Sequence, residues 1–506
     1  MKDETARKKR LLCNTVSSLV FQIVTLVCGF IVPRLILDTY GSSVNGLVLS
    51  ITQFLGMIAF LELGVGAVVQ SSLYKPLAEK NINEVSKIIS SANKFFRRLA
   101  SILVVYVIFL VILFPFFAAK EFGYGYSATL ILTISISTFA QYYFGIVNRI
   151  LLTADQRGYI QYITQTIAVI CNTIACYILI ALGCRIQIVK LATSIIYLIQ
   201  PFAIYLYVRG HYQIDKKIKY DKEPIAQKWN GIAQHVAAVI LDGTDTVVLT
   251  LFSTLSNVSI YSVYFMVVRG IKQLFMSLTN DITSLIGELW AKQELNELKK
   301  TFGWTEWLIH TGTVFIFGVT AVTIVPFIKV YSLGINDAIY IQYLFAALLV
   351  AANATHCLRL PYNIMILAAG HYKQTQSNYL IAAAINIIVS IIAVKVWGLV
   401  GVAIGTLIAM SYQTIWMAWY NSKNLLKYPI RNFVKQLLVD IGSVALCAYV
   451  SSIFSMKSIS YFAWIIYAIK VSLVWIALMI AINLVFYKEK AQKLFVLIFT
   501  RHRFSS

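Results

Sequence analysis

The sequence predicts an all-α membrane protein with about 14 transmembrane helices, arranged as two parallel six-helix lobes around a central cavity plus two extra C-terminal helices. Composition is the first reason: hydrophobic residues make up 59% of the 506-residue chain and charged residues only 13%, which is typical of a membrane protein. The second reason is a series of apolar runs long enough to cross a bilayer. The third is an internal repeat, because one short stretch of sequence occurs twice.

Fourteen apolar runs, bounded by charged or turn residues, reach the roughly 20 residues that a helix needs to cross a membrane. The predicted spans are 11–32, 44–68, 99–118, 128–150, 160–181, 187–208, 231–252, 260–281, 307–327, 339–360, 376–394, 399–420, 434–455 and 462–486. Few long hydrophilic stretches remain, so we expect no separate globular domain. A cationic run precedes the first span, but this span is too long for a signal peptide and lacks a small-residue cleavage site, so we expect it to be retained.

The repeated stretch is Ala78–Lys87, which returns as Ala291–Lys300 after 213 positions. Four positions are identical, and two more keep the apolar pattern of a short amphipathic helix. A second similarity, at an offset of 215, relates Asn148 to Asn363 together with the leucine and alanine that follow each of them. The nearly constant spacing indicates that one unit has been duplicated.

Each copy of the repeat holds six predicted spans. Because this number is even, the second copy re-enters the membrane in the same orientation as the first, and the two lobes are parallel. We therefore predict an N-terminal six-helix lobe at 1–215, a C-terminal six-helix lobe at 216–430, and two extra transmembrane helices with an amphipathic tail at 431–506. Two such lobes are typical of transporters that expose a central cavity to alternate sides of the membrane.

The distribution of Lys and Arg predicts that both termini face the cytoplasm. Most of the 43 Lys and Arg residues fall in the N-terminal segment and in alternate loops, and cationic loops stay on the cytoplasmic side. The same bias explains the net charge of +22, with attraction to anionic membrane lipids as a further contribution. We expect no nucleic-acid partner. The tail from Lys488 to Arg503 is predicted to be an amphipathic helix on the inner surface.

No motif for bond-breaking chemistry occurs in the chain. It lacks the HExxH pattern, the nucleophile elbow, the GxGxxG fingerprint and the P-loop. The seven cysteines are scattered without CxxC spacing and the six histidines lie apart in sequence, so we predict no metal site and no cofactor. We expect that the protein is not an enzyme.

Several short motifs lie at or between the first spans. They are Pro33-Arg34, Tyr40-Gly41, Asn45-Gly46, Glu62-Leu63-Gly64-Val65-Gly66 and Leu73-Tyr74-Lys75-Pro76-Leu77-Ala78. A weaker pattern continues through Ala154-Asp155-Gln156-Arg157-Gly158 and Asp245. In these motifs the chain resembles the bacterial polysaccharide flippases of the multidrug/oligosaccharidyl-lipid/polysaccharide exporter superfamily, over most of the first twelve spans.

This resemblance implies a flippase of the bacterial cytoplasmic membrane. It would move an undecaprenyl-diphosphate-linked oligosaccharide from the inner to the outer leaflet, by alternating access, for capsule, O-antigen or a related surface glycan. The lipid-linked oligosaccharide would be the substrate, and glycan polymerase machinery is a further candidate partner. Relatives with fourteen helices, such as the lipid II flippases, use the final pair to form a groove for the lipid tail, which would give the two unduplicated spans a role.

Cations inside the predicted spans are candidates for binding the anionic headgroup, because a charge within a bilayer is costly. Arg269 and Lys272 lie three residues apart on the eighth span, hence on one helix face. Arg34, Arg149 and Arg359, near the ends of the first, fourth and tenth spans, are further candidates. The alternative for cations at span ends is that they extend to the membrane interface.

Three acidic residues are candidates for gating or ion coupling. Glu62 would serve as a proton or cation site, as a partner that orients an arginine, or as a cytoplasmic gate, and we favour a structural or gating role. Asp242 and Asp245 lie on the seventh span, and Asp242 is predicted at a depth similar to that of Arg269. An ion pair between these two residues is as good an interpretation as a substrate site.

Two other classes of function are compatible with parts of the sequence. A drug or metabolite antiporter of the same superfamily, coupled to a cation, would favour acidic residues in the cavity. A membrane enzyme of glycan assembly would need large extracytoplasmic loops for its catalytic groups. The predicted outer loops are all short, which argues against the enzyme.

Overall fold

The structure is a computed structural model, and it describes residues 2–62, 64–117, 121–215, 218, 220, 224, 232–427 and 429–500. All regular secondary structure in these residues is helical. The helices are α1 (Lys2–Gly56), α2 (Val65–Ala78), α3 (Ile82–Phe117), α4 (Tyr124–Ala140), α5 (Ile146–Ala154), α6 (Gly158–Ala181), α7 (Ile186–Tyr197), α8 (Ile199–His211), α9 (Ile232–Phe252), α10 (Leu255–Ala291), α11 (Leu295–Tyr331), α12 (Tyr343–Leu358), α13 (Leu360–Ala368), α14 (Tyr372–Trp397), α15 (Leu399–Tyr420), α16 (Ile430–Ser451), α17 (Tyr461–Phe486) and α18 (Lys488–Thr500). A 3₁₀ turn follows α1 at Met57–Glu62, and π-type turns occur at Gln141–Gly145 and Asn421–Leu425.

The predicted fold class, an all-α membrane protein, is confirmed. Eleven helical stretches in the described residues are long and apolar enough to cross a membrane. One of them, Lys9–Glu62, contains two predicted spans, because α1 breaks at Gly41, where the backbone has φ 85° and ψ 173°. Helices α9 and α10 lie where the seventh and eighth spans are predicted. The total of fourteen spans stays a prediction.

The second predicted span, 44–68, is not one continuous helix. Helix α1 ends at Gly56, the 3₁₀ turn follows, and α2 begins at Val65. Gly64 has a φ of 73°, a left-handed conformation that glycine adopts readily and that interrupts α-helical hydrogen bonding. Glu62 therefore lies at a helix interruption and not inside a regular span.

The repeated stretch forms a turn followed by a long helix, and the prediction of a separate short amphipathic helix is wrong. In the first copy the turn joins α2 to α3, and in the second it joins α10 to α11. Each turn contains a residue with positive φ, Lys80 at 53° and Gln293 at 58°, which lie 213 positions apart. The amphipathic residues after each turn form the first turns of α3 and α11. Both helices continue without a break into the apolar spans.

Polar contacts also recur in both halves of the chain. At offsets of 213 and 214, the matched pairs are Glu84–Lys87 (2.6 Å) with Glu297–Lys300 (3.3 Å), and Arg157–Tyr207 (3.0 Å) with His371–Tyr420 (2.9 Å). Contacts at matching positions are expected when two copies of one unit fold in the same way. The repeat thus extends beyond the sequence to the local side-chain packing.

By their internal contacts the helices form two compact units, an N-terminal unit, Met1–Ser259, and a C-terminal unit, Ile260–Ser506. In the N-terminal unit α1 packs against α4, α6 and α9, and α2 packs against α3 and α5. In the C-terminal unit α15 packs against α12 and α14, while α16 and α17 pack against α11. The lobe boundaries predicted at 215 and 430 stay predictions.

Candidate functional site

The tenth predicted span comprises α12 and α13, which are separated only by Arg359, and the Arg359 backbone keeps α-helical angles (φ −71°, ψ −25°). Pro361 removes one helical hydrogen bond here, since proline has no N–H to donate to the carbonyl four residues earlier. The bonds from Arg359 N to Thr355 O and from Asn363 N to Arg359 O continue the helix. Arg359 lies beside this missing bond, and only 7% of the residue is exposed. The predicted boundary at 360 placed Arg359 close to the end of this span. The membrane-spanning stretch instead continues to Ala368, so Arg359 lies inside the span.

Two neighbouring side chains hold the Arg359 guanidinium. It donates to Oε1 of Gln413 on α15, and its Nη2 lies 3.4 Å from Nδ1 of His356 on α12. Because a guanidinium is a donor only, His356 accepts through Nδ1 and carries its proton on Nε2. Within the described part of the chain, His356 Nε2 and Gln413 Nε2 are buried without a hydrogen-bond partner. An unmet buried donor costs about 1–3 kcal/mol, so both N–H groups are suited to binding a ligand that accepts hydrogen bonds.

Lys272 on α10 lies beside the same residues. It is 9% exposed, and Lys272 and Arg359 both lie close enough to His356 and Cys357 to act on them electrostatically. The structure therefore brings together two of the residues predicted to bind an anionic headgroup. We refer to Lys272, His356, Arg359 and Gln413 as the basic cluster.

Arg269 does not share this environment. Arg269 is exposed, whereas Lys272 is buried. Positions three residues apart on an α-helix are separated by about 60° around its axis, which is enough to place one side chain in the packed face and the other outside it. The two cations therefore differ in burial, and headgroup binding by Arg269 stays a prediction. The predicted ion pair between Arg269 and Asp242 stays a prediction, since the Asp242 side chain lies outside the described residues.

A second charged group lies in the N-terminal unit, at the interruption before α2. Glu62 and Arg149 both act electrostatically on Tyr142, which lies in the π-type turn between α4 and α5. A Cβ on Gly66 would lie 2.9 Å from Glu62 Oε1, so the carboxylate packs closely against the α2 backbone. The structural or gating role of Glu62 stays a prediction.

The two other predicted residues that the structure describes are placed differently. Arg34 lies 3.6 Å from Asp38, one turn further along α1, and 27% of its side chain is exposed. Its charge is thus balanced within its own helix. Asp245 is buried on α9, with 4% of the residue exposed, so it is a carboxyl group inside the N-terminal unit.

The basic cluster has an uncharged counterpart in the first half of the chain. Gln141, in the π-type turn that interrupts α4 and α5, donates through Nε2 to Gln200 Oε1 at 3.0 Å. At offsets of 215 and 213, these positions correspond to His356 and Gln413. Both copies therefore have polar side chains at these matched positions, in direct contact in the first copy and joined through Arg359 in the second.

A basic cavity of about 380 Å³ lies beside α3 in the N-terminal unit. Its lining includes Lys94, Arg97 and Arg98 together with the polar side chain of Asn93. The Arg97 guanidinium lies 5.1 Å from the centre of the Tyr143 ring. Cations around a polar cavity suit a phosphate group, which accepts several charge-assisted hydrogen bonds.

Our sequence reasoning missed His356 and a buried network formed by Glu306, His310, Tyr362 and Asp440. A signal was present, because His310 and Asp440 lie within the ninth and thirteenth predicted spans, where ionisable residues are functional candidates. Among the described residues, no group of three or more His, Cys, Asp or Glu side chains is placed to hold a metal ion.

Comparison with solved structures identifies the fold. The lipid II flippase MurJ, in an inward closed conformation, is similar over 94% of this chain and 99% of its own, with a TM-score of 0.70 and 16% sequence identity. The chain has the fold of the multidrug/oligosaccharidyl-lipid/polysaccharide exporter (MOP) superfamily. An inward-facing MATE family multidrug resistance transporter of the MOP superfamily is similar over 80% of this chain and 96% of its own, with a TM-score of 0.61 and 14% identity.

Another MOP superfamily transporter, from Pyrococcus furiosus, is similar over 84% of this chain and 97% of its own, with a TM-score of 0.54 and 12% identity. For that protein, a reversed polarity of the binding pocket suggests a different function. No protein-family model and no curated protein matches the chain. The similarity in fold agrees with the resemblance that the first motifs predicted, and the eleven candidate membrane-spanning stretches in the described residues make the chain a multi-pass membrane protein.

Proposed function

We propose that the protein flips undecaprenyl-diphosphate-linked oligosaccharide from the inner to the outer leaflet of the bacterial cytoplasmic membrane, by alternating access, for a surface polysaccharide such as capsule or O-antigen. The observation that carries this proposal is the basic cluster. Lys272 and Arg359 supply positive charge, and His356 and Gln413 each supply a buried N–H group without a partner in the described residues. A diphosphate has the negative charge and the many acceptor oxygens that match this set.

The missing backbone hydrogen bond at Pro361 supports the same role for Arg359. A backbone carbonyl that a proline leaves free inside a membrane helix needs a polar partner, so polar groups are favoured at such a position. Arg359 is fixed beside it by Gln413. A guanidinium fixed in this way loses little entropy when a phosphate binds to it.

The membrane potential would drive such transport outward. A diphosphate carries about two negative charges, and moving each of them outward from an inside-negative compartment releases about 2.3 kcal/mol per 100 mV. Export of the headgroup would therefore proceed without a coupling ion. In this proposal the lipid tail stays in the bilayer while the basic cluster binds the headgroup from the cytoplasmic side, and both termini are cytoplasmic.

The basic cavity beside α3 supports the predicted contact with anionic membrane lipids. Its cations Lys94, Arg97 and Arg98 lie at the start of the third predicted span, where the loops are predicted to be cytoplasmic. Glu62, at the interruption before α2, is proposed as a gating residue whose carboxylate is set by Arg149. Glycan polymerase machinery stays a candidate partner.

The alternative is a cation-coupled drug or metabolite antiporter of the same superfamily. One observation favours it: Asp245 is a buried acidic residue of the N-terminal unit, 4% exposed, and a buried carboxylate suits a cation. The similarity to a multidrug resistance MATE family transporter is compatible with this function as well. Uptake of a cationic dye against a Na⁺ or H⁺ gradient would support the antiporter.

A leaflet-resolved flipping assay tests the proposal. Vesicles holding wild-type protein should make lipid-linked oligosaccharide accessible in the opposite leaflet, and Lys272→Gln and Arg359→Gln should slow this step. Loss of one hydrogen bond to a charged group is worth about 1.5–3 kcal/mol, or roughly a 10- to 150-fold change. Arg269→Gln and Arg185→Gln are matched controls, since both remove an exposed cation. No flipping by wild type, or equal rates in Arg359→Gln and the controls, would refute the proposal.

A further inference from the structure

Four ionisable side chains form a buried hydrogen-bonded chain in the C-terminal unit. It runs from Glu306 on α11 to Tyr362 on α13, back to His310 on α11, and from there to Asp440 on α16. These residues are at most 5% exposed. The Tyr362 hydroxyl lies 2.7 Å from Glu306 Oε1 and 3.3 Å from His310 Nε2. His310 Nδ1 lies 2.6 Å from Asp440 Oδ2, and Gln436 donates to Asp440 Oδ1 at 3.0 Å. The chain thus links core helices to the first of the two C-terminal membrane helices.

The number of protons in this chain follows from its hydrogen bonds. With both carboxylates ionised, the Tyr362 proton goes to Glu306, and the single proton of a neutral His310 goes to Asp440. His310 Nε2 and the Tyr362 oxygen then face each other at 3.3 Å without a proton between them, and two lone pairs repel. One additional proton removes this defect, because every contact in the chain then has a donor and an acceptor.

The additional proton has two equivalent placements. With the proton at the Asp440 end, as an imidazolium or as a carboxylic acid, His310 donates through Nε2 to Tyr362 and the tyrosine donates to Glu306. With the proton on Glu306, this residue donates to Tyr362, the tyrosine donates to His310 Nε2, and His310 Nδ1 donates to ionised Asp440. A shift of each proton by one hydrogen bond interconverts the two forms, as in a proton relay.

Few other charged groups surround these four side chains. The charged groups that act on Glu306 are His310, Asp440 and Lys490, and Lys435 acts in turn on Lys490. The neighbouring π-type turn contributes the neutral Asn421, which donates to the Tyr362 carbonyl, and α17 contributes the neutral Asn483, which accepts from Trp307. Two ionised carboxylates at this depth would carry a large desolvation cost, so the environment favours retention of a proton.

We propose that Glu306, Tyr362, His310 and Asp440 form a binding site for one exchangeable proton, and that this proton fixes α16 against α11 and α13. When the proton leaves, the His310–Tyr362 contact turns repulsive and the attachment of α16 weakens. The site differs from the basic cluster and needs no lipid substrate. A result that refutes the proposed function would therefore leave this site unaffected.

Carboxamide variants provide a sharp test, because an amide N–H replaces the exchangeable proton. In Asp440→Asn the new Nδ2 donates to His310 Nδ1, neutral His310 donates through Nε2 to Tyr362, and Tyr362 donates to Glu306. In Glu306→Gln the new Nε2 donates to Tyr362, and the remaining bonds run in the opposite direction to ionised Asp440. Both variants should complete the chain without an additional proton.

The first measurement is the potentiometric proton count of the full-length protein purified in detergent, for wild type and for Asp440→Asn. The difference curve should show one proton released between about pH 6.5, the value for an ordinary histidine, and about pH 9. Release complete below about pH 6.5 would show that the folded protein does not hold the proton more tightly than the unfolded chain and would overturn the proposal. A proton still bound above about pH 9 would overturn it too, because it would not be exchangeable.

The second measurement is thermal unfolding as a function of pH. Because the folded protein binds the proton more tightly, wild type should lose stability as the pH rises through the release range, while Asp440→Asn and Glu306→Gln should lack this slope. Asn483→Ala is the matched control, since it breaks the 2.7 Å bond from Trp307 between α11 and α17 without removing an ionisable group. It should lower stability at every pH and keep the wild-type slope. Equal slopes in wild type and the carboxamide variants would refute the site.

Discussion

Substitution of Gly318 by alanine should loosen the last two membrane helices from the rest of the C-terminal unit. Gly318 lies on α11 against Trp475 of α17, which is completely buried. A Cβ on Gly318 would lie 1.9, 2.0 and 2.9 Å from three atoms of the Trp475 ring. Ordinary contact begins at 3.4 Å, so the ring would have to move by about 1.5 Å, with α17 following it.

The cost follows from three contributions. Overpacking of this kind costs about 1–3 kcal/mol. The indole Nε1 donates to Ser451 Oγ at 2.8 Å, and a shift of the ring would break this bond between α17 and α16, at about 1 kcal/mol. Replacement of glycine by alanine inside a helix returns roughly 0.5–1 kcal/mol. We expect Gly318→Ala to destabilise the protein by about 1–3 kcal/mol.

Thermal unfolding of the purified protein measures this effect. Gly312→Ala is the matched control on the same helix, because its Cβ would lie 3.5 Å from the nearest Phe275 ring atom, which is ordinary contact. This control should be as stable as wild type or slightly more stable. The effect of Gly318→Ala should disappear in a Trp475→Leu background, since the clashing ring atoms are then absent. Equal stability of Gly318→Ala and Gly312→Ala would contradict the packing described for α17.

Three further predictions concern side chains outside this contact. Tyr207→Phe and Tyr420→Phe remove matching hydrogen bonds in the two halves, so each should cost about 0.5–1.5 kcal/mol in unfolding free energy; a cost in only one of them would contradict the repeat. Burial lowers the pKa of Lys490 from its usual 10.5, with partial compensation by Glu306, so the charged lysine is disfavoured in the folded protein. Wild type should therefore gain stability relative to Lys490→Met as the pH rises towards 10.5, measured as the difference in unfolding temperature, and a difference that falls over this range would contradict the assignment. Gln413→Leu removes the acceptor that holds Arg359 and should lower the unfolding temperature more than Gln187→Leu, a half-buried glutamine whose Oε1 has no partner in the described residues.

The membrane class and most of the spans could be predicted from the sequence, because a span is a local property of composition and length. The repeat could also be found, since it depends on residues that stay adjacent. The interruption at Gly64 was missed because the predicted span 44–68 as a whole is apolar enough to form one continuous membrane helix. Hydropathy reports how much apolar surface a segment has, whereas a break depends on the backbone conformation of single residues.

The partners of the charged residues could not be predicted from the sequence. Arg359 and Gln413 are 54 positions apart, and His310 and Asp440 are 130 positions apart. Such contacts depend on the rotation of each helix about its axis and on which helices are neighbours. Lys272 and Arg269 show how sensitive this is, because about 60° of rotation separates a buried cation from an exposed one. The sequence therefore indicated which residues are unusual in a membrane span, and the structure indicates which of them act together.

Binding of two lipids that differ in the presence of the anionic diphosphate tests the central claim most directly. The purified protein would be titrated with one oligosaccharide attached either to undecaprenyl diphosphate or to an uncharged undecaprenyl lipid. We predict that wild type binds the diphosphate form at least about tenfold more tightly, which corresponds to about one charge-assisted hydrogen bond, and that Arg359→Gln loses this preference while Arg269→Gln keeps it. Equal affinity of wild type for the two lipids would contradict the proposal that the basic cluster binds an anionic headgroup.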